Sequence, residues 1–100
     1  MFLGKVIGNV VATQKDPKFQ GMKLLLVQPH VNRESGLAVS GSSIVAVDSV
    51  GAGEGELILF TQGSSARLTE LTSDVPTDAV VVGIIDAIQV GKGELYKKPE

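Results

Sequence analysis

The sequence has no cysteine, no tryptophan and a single histidine, and its aromatic content is only 4%. Without cysteine the chain forms no disulfide and no thiolate zinc site. A metal site needs several convergent donors, which one imidazole, that of His30, does not supply. These absences predict no metal and no cofactor, and a core of Val, Ile, Leu and Ala drawn from a hydrophobic fraction of 43%.

The sequence also lacks a basic excess and a long apolar run. Its net charge is -2 and its isoelectric point about 5.3, whereas a nucleic-acid-binding domain usually carries a basic patch. No apolar stretch reaches the roughly 18 residues of a membrane span, and residues 1–5 do not have the pattern of a signal peptide. We therefore expect a soluble, cytoplasmic protein that binds neither nucleic acid nor a membrane.

One glycine-rich segment has the spacing of a phosphate-binding loop. Its glycines are Gly51, Gly53 and Gly55. The dinucleotide motif requires a helix to begin at its end, but residues 57–60 are typical of a strand. The default interpretation is a tight turn, with positive φ at Gly51 or Gly53.

A second segment, residues 63–67, offers Ser64 or Ser65 as a nucleophile. A serine nucleophile needs a positioned base, and His30 lies in a polar segment where a surface position is expected. Carboxylates are no better placed for catalysis, because a strand-end aspartate more often caps a turn than works in an acid–base pair. This applies to Asp48, Asp78 and Asp86. We predict no catalytic residue, and hence a protein that is not an enzyme.

Alternating apolar residues and regularly spaced turn residues predict a small closed β-barrel, all-β and a single domain over residues 1–100. Ser64 is expected to cap the one short helix, over residues 65–70, and residues 29–42 are expected to form a loop or loose hairpin. A hairpin turn is expected at residues 91–93. The predicted strands cover residues 2–14, 23–28, 44–48, 57–61, 78–90 and 94–97.

Residues 79–85 are apolar on both faces of their predicted strand. In an antiparallel barrel one face fills the interior, so the other face needs a cover. In so short a chain the simplest cover is a second copy, and the sequence therefore predicts self-assembly.

Several segments, in order, resemble the EutN/CcmL family of bacterial microcompartment vertex proteins. These are residues 4–13 (GKVIGNVVAT), Gly21, 23–27 (KLLLV), 46–53 (AVDSVGAG), 55–56 (GE), 63–67 (GSSAR), 76–79 (PTDA) and 84–86 (IID). The resemblance covers nearly the whole chain, and its main departure is the segment 29–42, whose role it leaves open.

The resemblance implies a five- to six-stranded OB-like β-barrel whose homopentamer caps the corners of a polyhedral shell. Its partners would be the hexameric and pseudohexameric tiles of that shell. The candidates for the five-fold pore or the subunit interface are Gly63, Ser64, Ser65, Ala66 and Arg67, and the candidates for tile contacts are Asn32, Arg33, Glu34, Lys97 and Lys98. An OB-type oligomeric module that binds nucleic acid or a small ligand is the alternative. The enclosed pathway, the identity of the tiles and conduction through the pore stay open.

Overall fold

The computed structural model describes residues 1–13, 16–69, 72 and 77–99, with the main chain alone at Ser65 and Arg67. Described residues form eight strands and two short 3₁₀ helices. The strands are β1 (Phe2–Val10), β2 (Leu24–Arg33), β3 (Gly36–Val39), β4 (Ile44–Asp48), β5 (Leu57–Gln62), β6 (Ala79–Ile84), β7 (Ala87–Val90) and β8 (Gly93–Lys97). The helices are η1 (Pro17–Phe19) and η2 (Gly63–Arg67).

Five of the strands close into a barrel. The strand order is β1-β5-β6-β4-β2, and β2 pairs with β1 to complete the circle. The β4–β6 pair is parallel, and the other pairs in the barrel are antiparallel. This is a Greek-key barrel of the OB type. The predicted all-β, OB-like barrel is therefore confirmed.

Small and branched side chains fill the barrel interior, as the composition predicts. The fully buried cluster comprises Val6, Leu25, Val27, Ala46, Ala52, Ile58, Phe60, Ala79 and Val81. At Gly4 a β-carbon would lie 2.6 Å from Val27 Cγ1, so this position accepts only glycine without a shift. Phe2 stacks on Phe60, with ring centroids 5.5 Å apart.

A second cluster lies outside the barrel and corrects the argument for self-assembly. Val47 and Val80 face outward and pack with Ala66 of η2, and all three are buried. The half-buried residues around them are Phe19, Met22, Leu24 and Val82. The outer face of residues 79–85 was expected to need a second copy, but the two 3₁₀ helices of the same chain cover much of it.

The first two strands differ in length from the prediction. β1 ends at Val10, so the expected strand over residues 2–14 is too long, and its last residue lies outside the described part. β2 extends beyond the predicted residues 23–28, through Pro29 to Arg33, and pairs with β3, so the hairpin is the alternative that forms within residues 29–42. Pro29 has no N–H to donate, but its carbonyl still accepts from the amide of Ser40 at 2.9 Å.

Two further boundaries are corrected. The predicted strand over residues 78–90 breaks at Ile85 and Asp86 into β6 and β7, because the chain leaves the barrel there and pairs with β8 instead. The helix predicted over residues 65–70 is a 3₁₀ helix over Gly63–Arg67, so Ser64 lies inside it rather than at its cap, and residue 70 is outside the described part.

Within the described residues, β7 and β8 pair with each other and with no strand of the barrel. Its two-residue turn has Gly91 at φ 60°, the conformation that a tight hairpin turn requires of its first central residue. The molecule is correspondingly elongated, with extents of 46 × 26 × 24 Å.

Candidate functional site

The glycine loop, residues 48–56, connects β4 to β5 and is closed by its own hydrogen bonds. The Asp48 carboxylate accepts from the amides of Val50 and Gly51 at 3.0 and 3.1 Å, so this strand-end aspartate caps a turn. Gly51 and Gly55 have φ of 77° and 90°, and Gly53 has no positive φ. The expected left-handed conformation is therefore present at Gly51, and no helix begins after the loop.

Glu56 connects this loop to the end of the chain. Its carboxylate accepts from the Gly53 amide at 2.5 Å and, through the other oxygen, from Lys98 Nζ at 2.5 Å. The Lys98 ammonium, helped by the Gly53 amide, holds the pKa of Glu56 below its usual value. Glu56 in turn raises the pKa of Lys98. The sequence analysis missed this pair because nothing in the pattern joins two charges 42 residues apart.

Two further contacts to main-chain atoms fix the position of the glycine loop, and a third holds the C-terminal segment beside it. Lys23 Nζ donates to the Ala52 carbonyl at 3.2 Å, and the Gly55 amide donates to the Val6 carbonyl at 2.8 Å. Next to the ion pair, the Lys98 amide donates to the Asp86 carbonyl at 2.7 Å. The loop is thus held against both the barrel and the C-terminal segment.

The helical turn η2 is anchored on one side only. Gly63 has φ 68°, and its amide donates to the Asp78 carbonyl at 2.8 Å. Ala66 is fully buried, and its carbonyl accepts from the Thr72 hydroxyl. On the other side Gly63 and Ser64 are exposed, and Leu68, which follows the turn, is 84% exposed.

Among the described contacts, none joins the Ser64 hydroxyl to His30 or to another base, and the Ser65 side chain lies outside the described part. His30 lies on β2, and its Nδ1 donates to the Gln28 carbonyl at 2.9 Å in the tautomer that this contact requires. No group of three or more metal-ligating side chains occurs among the residues described. Within the same residues, no helix is long and apolar enough to cross a membrane.

Fold and site together define the class of protein: a small OB-type barrel with an internally closed glycine loop and a small-residue turn that faces outward. Residues 1–86 match the family described as "Ethanolamine utilisation protein EutN/carboxysome", and the chain belongs to that family. The resemblance seen in the sequence is thereby confirmed. One of its motif residues, Pro76, lies outside the described residues.

Three relatives illustrate the similarity. The carboxysome shell vertex protein CcmL of Synechocystis is 46% identical over 98% of this chain and 95% of its own length. The solved structure of CcmL from Nostoc has a TM-score of 0.88 at 43% identity and covers 98% of this chain and 100% of the other. GrpN of Rhodospirillum rubrum, solved as a pentameric microcompartment shell protein, has a TM-score of 0.76 at 43% identity, covering 92% and 100%.

These relatives are named as structural shell proteins, not as enzymes. The prediction that the chain is not an enzyme is confirmed by this relationship.

Proposed function

We propose that five copies of this chain form a closed ring that caps the vertices of a polyhedral bacterial microcompartment in the cytoplasm. The observation that carries the proposal is the match to the pentameric shell protein GrpN, at 43% identity over 92% of this chain. A flat layer of six-fold tiles closes into a polyhedron only with five-fold points, and a ring of identical subunits supplies them.

A ring of this kind is heterologous, so each subunit contributes two different surfaces. We place Gly63–Arg67 towards the five-fold axis or the subunit interface. The support is that small residues let backbones approach closely, and that Gly63, Ser64 and Leu68 are exposed among the residues that the structure describes.

A second partly exposed surface lies further along β2 and β4, on the same outer face as Leu24 and Val47, which pack with η2. Gly8, Leu26 and Val45 share one row across β1, β2 and β4, as their pairing register shows. Val45 is 46% exposed and Ile7, beside this row, is 42% exposed. This apolar row is our candidate for the complementary side of the ring contact.

Contacts to the hexameric and pseudohexameric tiles are proposed at polar residues that are free to reach them. Asn32, Arg33 and Glu34 are exposed at the turn between β2 and β3, and Lys97 is exposed on β8. Lys98 is engaged by Glu56 and is a weaker candidate.

Reconstitution with purified tiles tests the proposal in two arms. Native mass spectrometry at micromolar concentration should give a species five times the 10.4 kDa chain mass. Shells assembled without the protein should form facets yet admit a small dye, and addition of the protein should seal them. Monomer alone in the first arm, or dye-tight shells from tiles alone in the second, would overturn it.

A further inference from the structure

The segment after β8 covers part of the outer wall of the barrel and leaves a cleft of about 270 Å³ beneath it. Leu57 forms the floor. It is adjacent to the interior residue Ile58 and therefore faces outward, yet it is only 4% exposed. Seven residues line the cleft: Lys5, His30, Leu37, Gly55, Leu57, Tyr96 and Pro99.

Three polar groups border this cleft. Lys5 has no ion-pair or hydrogen-bond partner among the described residues, and the Tyr96 hydroxyl likewise has no hydrogen bond there. His30 uses Nδ1 on the Gln28 carbonyl, which leaves Nε2 available to a ligand. Lys5 lies opposite Gln28 in the strand pairing, so Lys5 and His30 are diagonal neighbours on the same outer face.

The charged groups at the cleft favour a ligand that carries one negative charge. Two carboxylates flank the lining residue Gly55 in the sequence: Glu56 pairs with Lys98, and Glu54 is exposed to solvent and does not line the cleft. Lys5 is then the cation at the cleft without a partner in the described structure. The apolar floor of Leu37 and Leu57 suits a short hydrocarbon group, and a pocket of this composition is typical of a small-molecule site.

We propose that this cleft binds a small aliphatic monocarboxylate. Its carboxylate pairs with Lys5 and takes a hydrogen bond from the Tyr96 hydroxyl, and its hydrocarbon chain rests on Leu37 and Leu57. The proposal goes beyond the structural role of the protein. None of the seven lining residues belongs to the turn Gly63–Arg67 or to the row of Gly8, Leu26 and Val45, so the site and the ring can fail independently.

The composition makes the test unusually clean, because the chain has one tyrosine, one histidine and no tryptophan. Tyrosine fluorescence and the imidazole proton resonances therefore report on Tyr96 and His30, both of which line the cleft. Titration with butyrate should shift both signals saturably, with a dissociation constant on the order of millimolar for so small a ligand. Butyramide, which has the same shape and no charge, and inorganic phosphate at equal ionic strength should give no saturable shift.

Substitutions separate the site from a nonspecific charge effect. Lys5→Gln should weaken butyrate binding about tenfold because it removes a charge-assisted contact, and Lys5→Arg should retain most of it. The matched control is Lys92→Gln, which removes the same charge from the turn between β7 and β8 and should bind butyrate normally. Equal responses to butyrate and butyramide, no saturable response of the native protein, or equal weakening by both glutamine variants would overturn the proposal. Should Lys5→Gln fail to fold, Tyr96→Phe, followed through the His30 resonance, must weaken binding for the proposal to stand.

Discussion

The two glycine segments of this protein resemble each other in the sequence and differ in the structure. The glycine loop, residues 48–56, satisfies its polar groups within one chain, through Asp48, Glu56 and Lys98. The turn Gly63–Arg67 is anchored on its inner side by Ala66 and leaves its outer side exposed. Small residues therefore have different effects in the two segments: in the glycine loop they allow positive φ angles, and in the turn Gly63 and Ser64 leave a small exposed surface.

The largest effect on the stability of the glycine loop is expected from a substitution of Gly51. Gly51→Val places a β-branched side chain at φ 77°, which should lower the free energy of unfolding by about 1–3 kcal/mol without changing the oligomeric state. Gly53→Val is the matched control in the same loop, because its φ is not positive and its β-carbon meets only the Glu56 side chain. Thermal melts and native mass spectra of both variants would measure this. Equal melts would remove the argument from backbone strain.

A substitution in the turn Gly63–Arg67 should instead affect assembly of the ring more than stability of the fold. Arg67→Ala should weaken the ring by about 1–2 kcal/mol of association free energy per contact, which raises the concentration at which the ring dissociates. The fold should be almost unchanged. An arginine fork can bridge to a carboxylate or a carbonyl of a neighbouring subunit. Dilution followed by native mass spectrometry, beside a thermal melt of the same sample, would separate the two effects. A variant that melts earlier but stays fully assembled would contradict the assignment of this turn to the interface.

How well the sequence predicts a structural feature depends on how far apart in the chain the interacting residues are. Alternation along a strand is local, so β4 is predicted at its observed limits and the barrel follows from the spacing of the turns. The cover of Val80 by Ala66 and Phe19 is not local, and the sequence wrongly assigns that cover to a second copy. The β2–β3 hairpin is one of the two alternatives that the sequence leaves for residues 29–42, but their polar composition does not mark the strands, because pairing at a sheet edge is made by the backbone and needs few apolar side chains.

In the candidate site, too, local features are predicted from the sequence and non-local contacts are not. The glycine positions of the loop are visible in the sequence, since positive φ is a property of single residues. The Glu56–Lys98 pair, which gives the loop its contact with the C-terminal segment, is visible only once the barrel has brought the two residues together.

Removal of the Glu56–Lys98 ion pair should change the stability least, and this change is the one most specific to the glycine loop. The ion pair is exposed, with 38% of the Lys98 side chain and 22% of the Glu56 side chain accessible, so solvent screening keeps its contribution to stability modest. Because the pKa of Glu56 is lowered on folding from an ordinary value of 4.5, its contribution is present above that pH and is lost as the pH falls through the folded pKa. Because the pKa of Lys98 is raised from 10.5, its contribution is complete below that pH and is lost as the pH rises through the folded pKa.

Lys98→Met should therefore lower the melting temperature slightly at neutral pH, and the difference from the native protein should shrink at both acidic and strongly alkaline pH. Glu56→Gln should show the same window, and the double variant should lose little more than either single one, since both remove one interaction. Lys97→Met is the control, because it removes an adjacent exposed lysine for which the described structure gives no contact with Glu56. Melts across the pH range, with amide exchange at Gly53 and Lys98, would measure the coupling. Additive losses from the two single variants would mean that each side chain stabilises the protein by a route other than this ion pair, and the loop would then not depend on the C-terminal segment for its position.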